Sequence, residues 1–146
     1  MSFLNAFEIS TSGLSAERFR INVISSNVAN INTTRTAEGG PYVRKDVLFL
    51  ASPVTENKSF SQNLDDEIDL QKVEVKEIVK DQRPPILKYD PSHPDANSEG
   101  YVAYPHINIM EEMVNLVNAS RSYEANATTL RAAKDMAMKS IEIIKG

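Results

Sequence analysis

Apolar residues recur through the last quarter of the chain, Ile107 to Ile144, at alternating steps of four and three, and neither Gly nor Pro interrupts the run. The series is Ile109, Met113, Leu116, Ser120, Tyr123, Ala127, Leu130, Lys134, Ala137, Ile141 and Ile144, apolar everywhere except Ser120 and Lys134. That spacing is a heptad seam and predicts one long helix with an apolar stripe. At about 1.5 Å per residue such a helix is roughly 55 Å long. A compact domain of this size has a radius of gyration of roughly 15 Å, so the helix asks for a partner helix. Asn108, with Glu111 three residues on, has the spacing of a capping box that starts it.

A second helical pattern runs from Phe3 to about Asn30. Phe7, Leu14, Ile21 and Val28 repeat every seven residues, joined by Phe3, Ile24 and Ile31, with Ser10 and Glu17 as gaps. Another series, Ile9, Ala16 and Val23, lies two positions on, about 200° around the helix. A helix in a two-helix hairpin uses one apolar stripe, so the second is expected to be covered by something outside the hairpin. Asn30-Ile31-Asn32 is expected to close the helix through an Asn in the left-handed conformation.

Between the helices the period changes. Tyr42 to Leu50 reads as a strand. Ser52 to Leu70 is polar and acidic, including Asp65-Asp66-Glu67, and reads as a mobile excursion. Gln71 to Asp81 alternates weakly and reads as a half-exposed strand that Arg83-Pro84-Pro85 breaks. Ile86 to Tyr89 and Tyr101 to Tyr104 read as short strands around a Pro-rich turn. The fold class is α+β. Long terminal helices over residues 1–32 and 107–146 pair in coiled-coil fashion as an α domain, and residues 33–106 form a small β-rich insert.

Composition narrows the function. A net charge of −4 argues against a nucleic-acid surface, because phosphate contacts need clustered cations. Cysteine is absent, which removes disulfides, thiolate metal sites and cysteine nucleophiles. The N-terminus lacks a basic and then apolar signal pattern, and no stretch approaches the roughly 20 apolar residues of a membrane span. Asp90, His93 and Asp95 form the most chemical-looking cluster, but their spacing typifies no metal loop and they read as a rigid turn. Neither His93 nor His106 sits in a nucleophile motif. The residues thus indicate no enzyme, no cofactor and no metal site. Ala119, Ala125, Ala127, Ala132, Ala133 and Ala137 leave the C-terminal helix thin enough for close neighbours. Met136, Met138 and Ile143 add apolar surface off the seam.

Four stretches carry a family resemblance. Ser25 to Thr33, with Asn27, Ala29, Asn30, Asn32 and Thr33, resembles the N-x-A-N-x-N-T signature that ends the N-terminal helix of bacterial flagellar rod and hook proteins. Met113 to Asn126 resembles their shared C-terminal helix. Tyr89 to Ala96 and Gly100 to Pro105 are similar to the signature of basal-body rod proteins of the FlgC type. Thr34 to Pro41 intervenes before Tyr42, unlike the shorter turn of many rod and hook proteins but similar to the FlgC-type spacing. The resemblance implies a structural subunit of the proximal rod, built with copies of itself and other rod proteins, and exported by the flagellar type III apparatus without a cleaved signal. It also implies terminal segments that fold on assembly. Assembly residues are then expected on the two helices: Phe7, Ile9, Leu14, Ile21, Val23, Ile24, Val28, Asn27, Asn30 and Asn32, and Met113, Leu116, Tyr123, Ala127, Leu130, Ala137, Ile141 and Ile144. Helix, hairpins and helix also describe a prefoldin-like chaperone module, which stands as the alternative.

Overall fold

The computed structural model describes residues 3–54 and 70–145. The acidic part of the excursion, Asp65-Asp66-Glu67, lies outside the described residues, as do the side chains of Phe3 and Ile144. The order is α1 (Phe3–Ala29), β1 (Lys45–Pro53), β2 (Gln71–Lys80), β3 (Ile86–Tyr89), β4 (Tyr101–Tyr104) and α2 (Ile109–Lys145). This is the expected α+β arrangement, two long terminal helices with short strands between them. β1 pairs with β2, and β3 with β4, as two separate two-stranded sheets.

β1 starts three residues later than the pattern predicted, because the backbone ahead of it is committed to a turn. The Tyr42 N–H donates to Thr33 O at 3.0 Å, so residues 42–44 complete the exit from α1 before pairing begins. At one end of the β1–β2 ribbon Val54 N–H donates to Leu70 O, and at the other Asp81 N–H donates to Arg44 O. β3 and β4 are antiparallel, with Ile86 opposite Tyr104 and Tyr89 opposite Tyr101. The long connection between them is ordered by its own polar groups: Asn97 Oδ1 accepts from the N–H of both Glu99 and Tyr101. Gly100 sits at φ +81°, and a Cβ there would lie 2.9 Å from the Tyr89 ring. Only glycine satisfies both the backbone sign and the contact.

The end of α1 differs from expectation. Among the described residues no non-glycine residue has a positive φ. The helix instead closes through Asn30, whose Nδ2 donates to Ser26 O at 2.8 Å, and through short-range bonds such as Ile31 N–H to Val28 O. The Ser26 carbonyl thus accepts from both the backbone N–H and the side-chain amide of Asn30. At the start of α2, Asn108 Oδ1 accepts from Met110 N–H at 3.0 Å while Glu111 stays exposed.

The chain divides into two compact units. The first comprises Met1–Arg18, Phe49–Lys76 and Ala119–Gly146. In it α1 and α2 touch where a Cβ on Gly13 would come within 2.8 Å of Asn126 Nδ2, and Val73 N–H of β2 donates to Ser12 Oγ of α1. Ala16, Ala119 and Ala133 are buried here. The second comprises Phe19–Leu48 and Glu77–Asn118, and buries Val23, Ile24, Tyr42, Val47, Val102 and Ile107 around Asn27 and Glu112.

Two expectations about the helix faces are corrected. Ala16 and Val23, members of the second α1 stripe, are buried inside the chain itself. They need no outside cover, because the strands as well as α2 pack around α1. On α2 the inward face is not centred on the heptad seam. Leu116, Leu130 and Ala137 are half-buried as expected, but the deeply buried positions are Glu112, Ala119 and Ala133, with Asn126 half-buried. Met113 and Ile141 are each 52% exposed. At about 100° per residue, Met113, Ser120, Ala127 and Ile141 flank the shared stripe at roughly +40°, and Glu112, Ala119, Asn126 and Ala133 at roughly −60°. In the second unit the start of the helix is therefore turned by roughly 50° from the apolar seam toward Glu112, and in the first unit Ala119 and Ala133 are the buried positions.

Candidate functional site

The N-x-A-N-x-N-T stretch builds the polar centre of the second unit. Asn27 is the last inward residue of α1 before the cap, and is fully buried. Its side-chain amide pairs with one residue of β1 as a neighbouring strand would: Nδ2 donates to Lys45 O at 2.8 Å and Oδ1 accepts from Lys45 N–H at 3.0 Å. Oδ1 also accepts from the Tyr42 hydroxyl at 3.1 Å, and Nδ2 donates to Glu112 Oε2 at 3.0 Å. Ser26 Oγ lies 3.3 Å from the same hydroxyl. Three residues on, Thr33 Oγ1 donates to Asn30 Oδ1, so the motif's second Asn is shared between the cap and the following turn. Asn32 is exposed.

From α2, Glu112 enters fully buried. Its Oε1 accepts from Arg44 Nε at 2.7 Å, and Arg44 Nη1 reaches Asp46 at 3.2 Å. Burial works against the Arg44 charge, but the hydrogen bonds and attraction of Glu112 and then Asp46 together outweigh it and hold the guanidinium pKa above its ordinary value. Each Glu112 oxygen thus has a donor, which a buried carboxylate requires, since an unpaired one costs several kcal/mol. One amide and one carboxylate tie together the end of α1, the start of β1 and the start of α2.

The Pro-rich turn spreads its titratable groups onto different neighbours. Asp90 accepts from the Ser92 hydroxyl and N–H, and these bonds hold its carboxyl below the usual range. Asp95 accepts from Thr34 Oγ1 at 2.8 Å and lies 3.8 Å from Arg35, while His93 Nδ1 accepts from Asp95 N–H. Among the described residues no three His, Cys, Asp or Glu side chains come together as a metal site. No helix of the described residues is long and apolar enough to cross a membrane.

The residues singled out on the helices separate into two sets. Val23, Ile24 and Asn27 are buried within the chain, and Phe7, Ile9, Leu14, Ile21, Val28, Asn30, Leu116, Ala127, Leu130 and Ala137 are half-buried. Met113, Tyr123 and Ile141 are exposed, alongside Met110, Val114, Val117, Met136, Met138 and Ile143. Tyr42, Arg44 and Glu112 escaped the sequence reading, because a Glu on a helix and an Arg in a strand are ordinarily solvated. Gly13 carried a usable signal, an isolated Gly inside a helical pattern, which often marks close packing.

Comparison with known proteins places both termini in one class. Residues 7–35 match the family model described as Flagella basal body rod protein, and residues 98–143 match that described as Flagellar basal body rod FlgEFG protein C-terminal. Flagellar basal-body rod protein FlgC of Borreliella burgdorferi is 41% identical over 153 residues, covering 100% of each chain. The FlgC of Bacillus subtilis is 41% identical over 99% of this chain and 100% of its own, and that of Escherichia coli O6:H1 is 34% identical over 98% of each. The chain belongs to the FlgC family of flagellar basal-body rod proteins, and is a structural component of the rod. The prefoldin-like alternative gains no support from these comparisons.

Proposed function

We propose that this chain polymerises through its two terminal helices, with copies of itself and with other rod proteins, into the shaft that crosses the periplasm and transmits torque from motor to hook. In this reading residues 1–32 and 107–146 act as the axial α domain and residues 33–106 as its β-rich insert. The chain leaves the cytoplasm through the flagellar type III apparatus without a cleaved signal, as its family membership suggests. Residues already buried, such as Ile24 and Asn27, hold the subunit together, and the exposed apolar ones meet neighbours.

One observation carries the proposal. α2 exposes Met113, Val114, Val117, Tyr123, Met136, Met138, Ile141 and Ile143 along its length, although its other side already satisfies the contacts within the chain. A concentration of large exposed apolar side chains marks an interaction face, and head-to-tail contacts that do not close into a ring generate a filament. Met113→Asp and Ile141→Asp, both at exposed positions, are expected to leave the helix content by circular dichroism unchanged while abolishing incorporation into purified basal bodies and motility. Normal rods in both strains would refute the role of this face.

A further inference from the structure

We infer that the buried Arg44–Glu112 pair sets the rotation of the start of α2, within the second unit, and so determines which face of the helix stays open there to neighbouring subunits. The inference rests on the reading that the exposed α2 face is the assembly surface.

Two packings of α2 compete. Centred on the heptad seam, the start of the helix would bury Met113; turned by roughly 50°, as observed there, it buries Glu112 and leaves Met113 half in solvent. Hydrophobic burial alone favours the first, which removes Met113 from water. What opposes it in the second unit is Glu112. Its carboxylate meets Arg44 Nε at 2.7 Å and Asn27 Nδ2 at 3.0 Å, and the Arg44 side chain is only 14% exposed. A turn of that size would swing the carboxylate off both donors and strand a buried guanidinium, which is strongly unfavourable. Buried polar groups are best attested as devices that choose one register among several apolar ones. Here the chosen register keeps Met113 out of the chain's own core. Glu112 and Arg44 act as positioning residues: they set the orientation of the start of α2 from inside the chain.

The test uses the absence of cysteine, which lets one introduced thiol report alone. Met113→Cys reads the contested flank. Val114→Cys, about 160° around the helix from Leu116 at 100° per residue, serves as a site exposed in either register. In the otherwise native full-length chain the two thiols should label at similar rates. In the Arg44→Met, Glu112→Met background the labelling rate at position 113 relative to position 114 should fall at least about tenfold, the factor expected when a thiol moves from half-exposed to buried, at an unchanged or raised melting midpoint. Arg44→Met alone, which leaves Glu112 seeking water, should produce the same fall and serves if the double variant does not fold. Arg44→Lys, which keeps the charge, should preserve the native ratio. An unchanged ratio in both Met backgrounds, or in the one that folds, would overturn the inference and assign the register to the alanines. Rod incorporation is scored separately: a fallen ratio with normal rods supports the register inference and refutes the assembly reading on which it was built.

Discussion

Asn27→Asp is the most diagnostic single substitution. The two side chains are nearly isosteric, so packing is preserved and only hydrogen-bond polarity and charge change. The new carboxylate can still accept from Lys45 N–H and the Tyr42 hydroxyl, but it cannot donate to Lys45 O or to Glu112 Oε2, which lie 2.8 and 3.0 Å from the native Nδ2. Losing those donors leaves two buried acceptors unsatisfied, about 1–3 kcal/mol each. A second carboxylate then sits beside Glu112 in a water-poor site, and like-charge repulsion makes the pair bind a proton more tightly folded than unfolded, a proton that restores one of the two lost donors. The sign follows: the folded state holds more protons than the unfolded state, so the stability of the variant rises as pH falls through the raised pKa. At pH 7 we expect a loss of about 4 kcal/mol, a large effect for one residue. With a urea slope of about 1–3 kcal/mol/M, the midpoint moves by more than about 1 M. Urea melts between pH 7 and pH 5, with exchange of the Lys45 and Glu112 amides as local reporters, should show the variant regaining stability on acidification. Asn27→Ala, which adds no charge, should lose stability without that recovery. A variant as stable as the native chain at pH 7, or one whose deficit does not shrink at pH 5, would refute the buried-node reasoning.

Gly100→Ala and Gly39→Ala separate backbone sign from contact. Both glycines have positive φ, but a Cβ on Gly39 meets nothing within 4 Å whereas one on Gly100 overlaps the Tyr89 ring and crowds Pro91. We expect about 1 kcal/mol lost at Gly39 and about 2–4 kcal/mol at Gly100, with faster exchange of the Asp90 and Tyr101 amides in the latter only; equal losses would mean that the Tyr89 contact is immaterial. The hydrogen bond from Arg83 holds the Asp81 carboxyl at about 2, against 3.8 for the free group. Its contribution is therefore present above about pH 4 and disappears as pH falls toward 2. The pair is near the surface and only two residues apart, so its contribution should stay below about 1 kcal/mol. Titration of the Asp81 carboxyl carbon should move up toward the ordinary range in Arg83→Gln, and an unmoved midpoint would refute the assignment to Arg83.

Local signals located most of the architecture, because the interactions that make those elements are themselves local. Ile86–Tyr89 and Tyr101–Tyr104 stood between turn-forming residues and form strands at those bounds, and the Asn108 cap starts α2 where its side chain reaches Met110 N–H. The family was legible for a related reason: its signature residues lie within short stretches of chain. Asn27 could be noticed by spelling, yet nothing near it in sequence shows that its partners are Lys45, 18 residues away, and Glu112, 85 residues away. The rotation at the start of α2 was equally out of reach. A heptad pattern counts apolar side chains on a cylinder and sends a glutamate outward by default, whereas a paired and fully hydrogen-bonded carboxylate can be drawn inward and turn the start of the helix with it. The same holds for the second stripe of α1, where Ala16 and Val23 are buried within the fold and Ala16 lies beside Phe49 and Val73 of the strands. Helices, strands and family membership followed from neighbours in sequence; the burial of Glu112 in place of Met113 at the start of α2 was decided by polar contacts that exist only after α1, β1 and α2 have met.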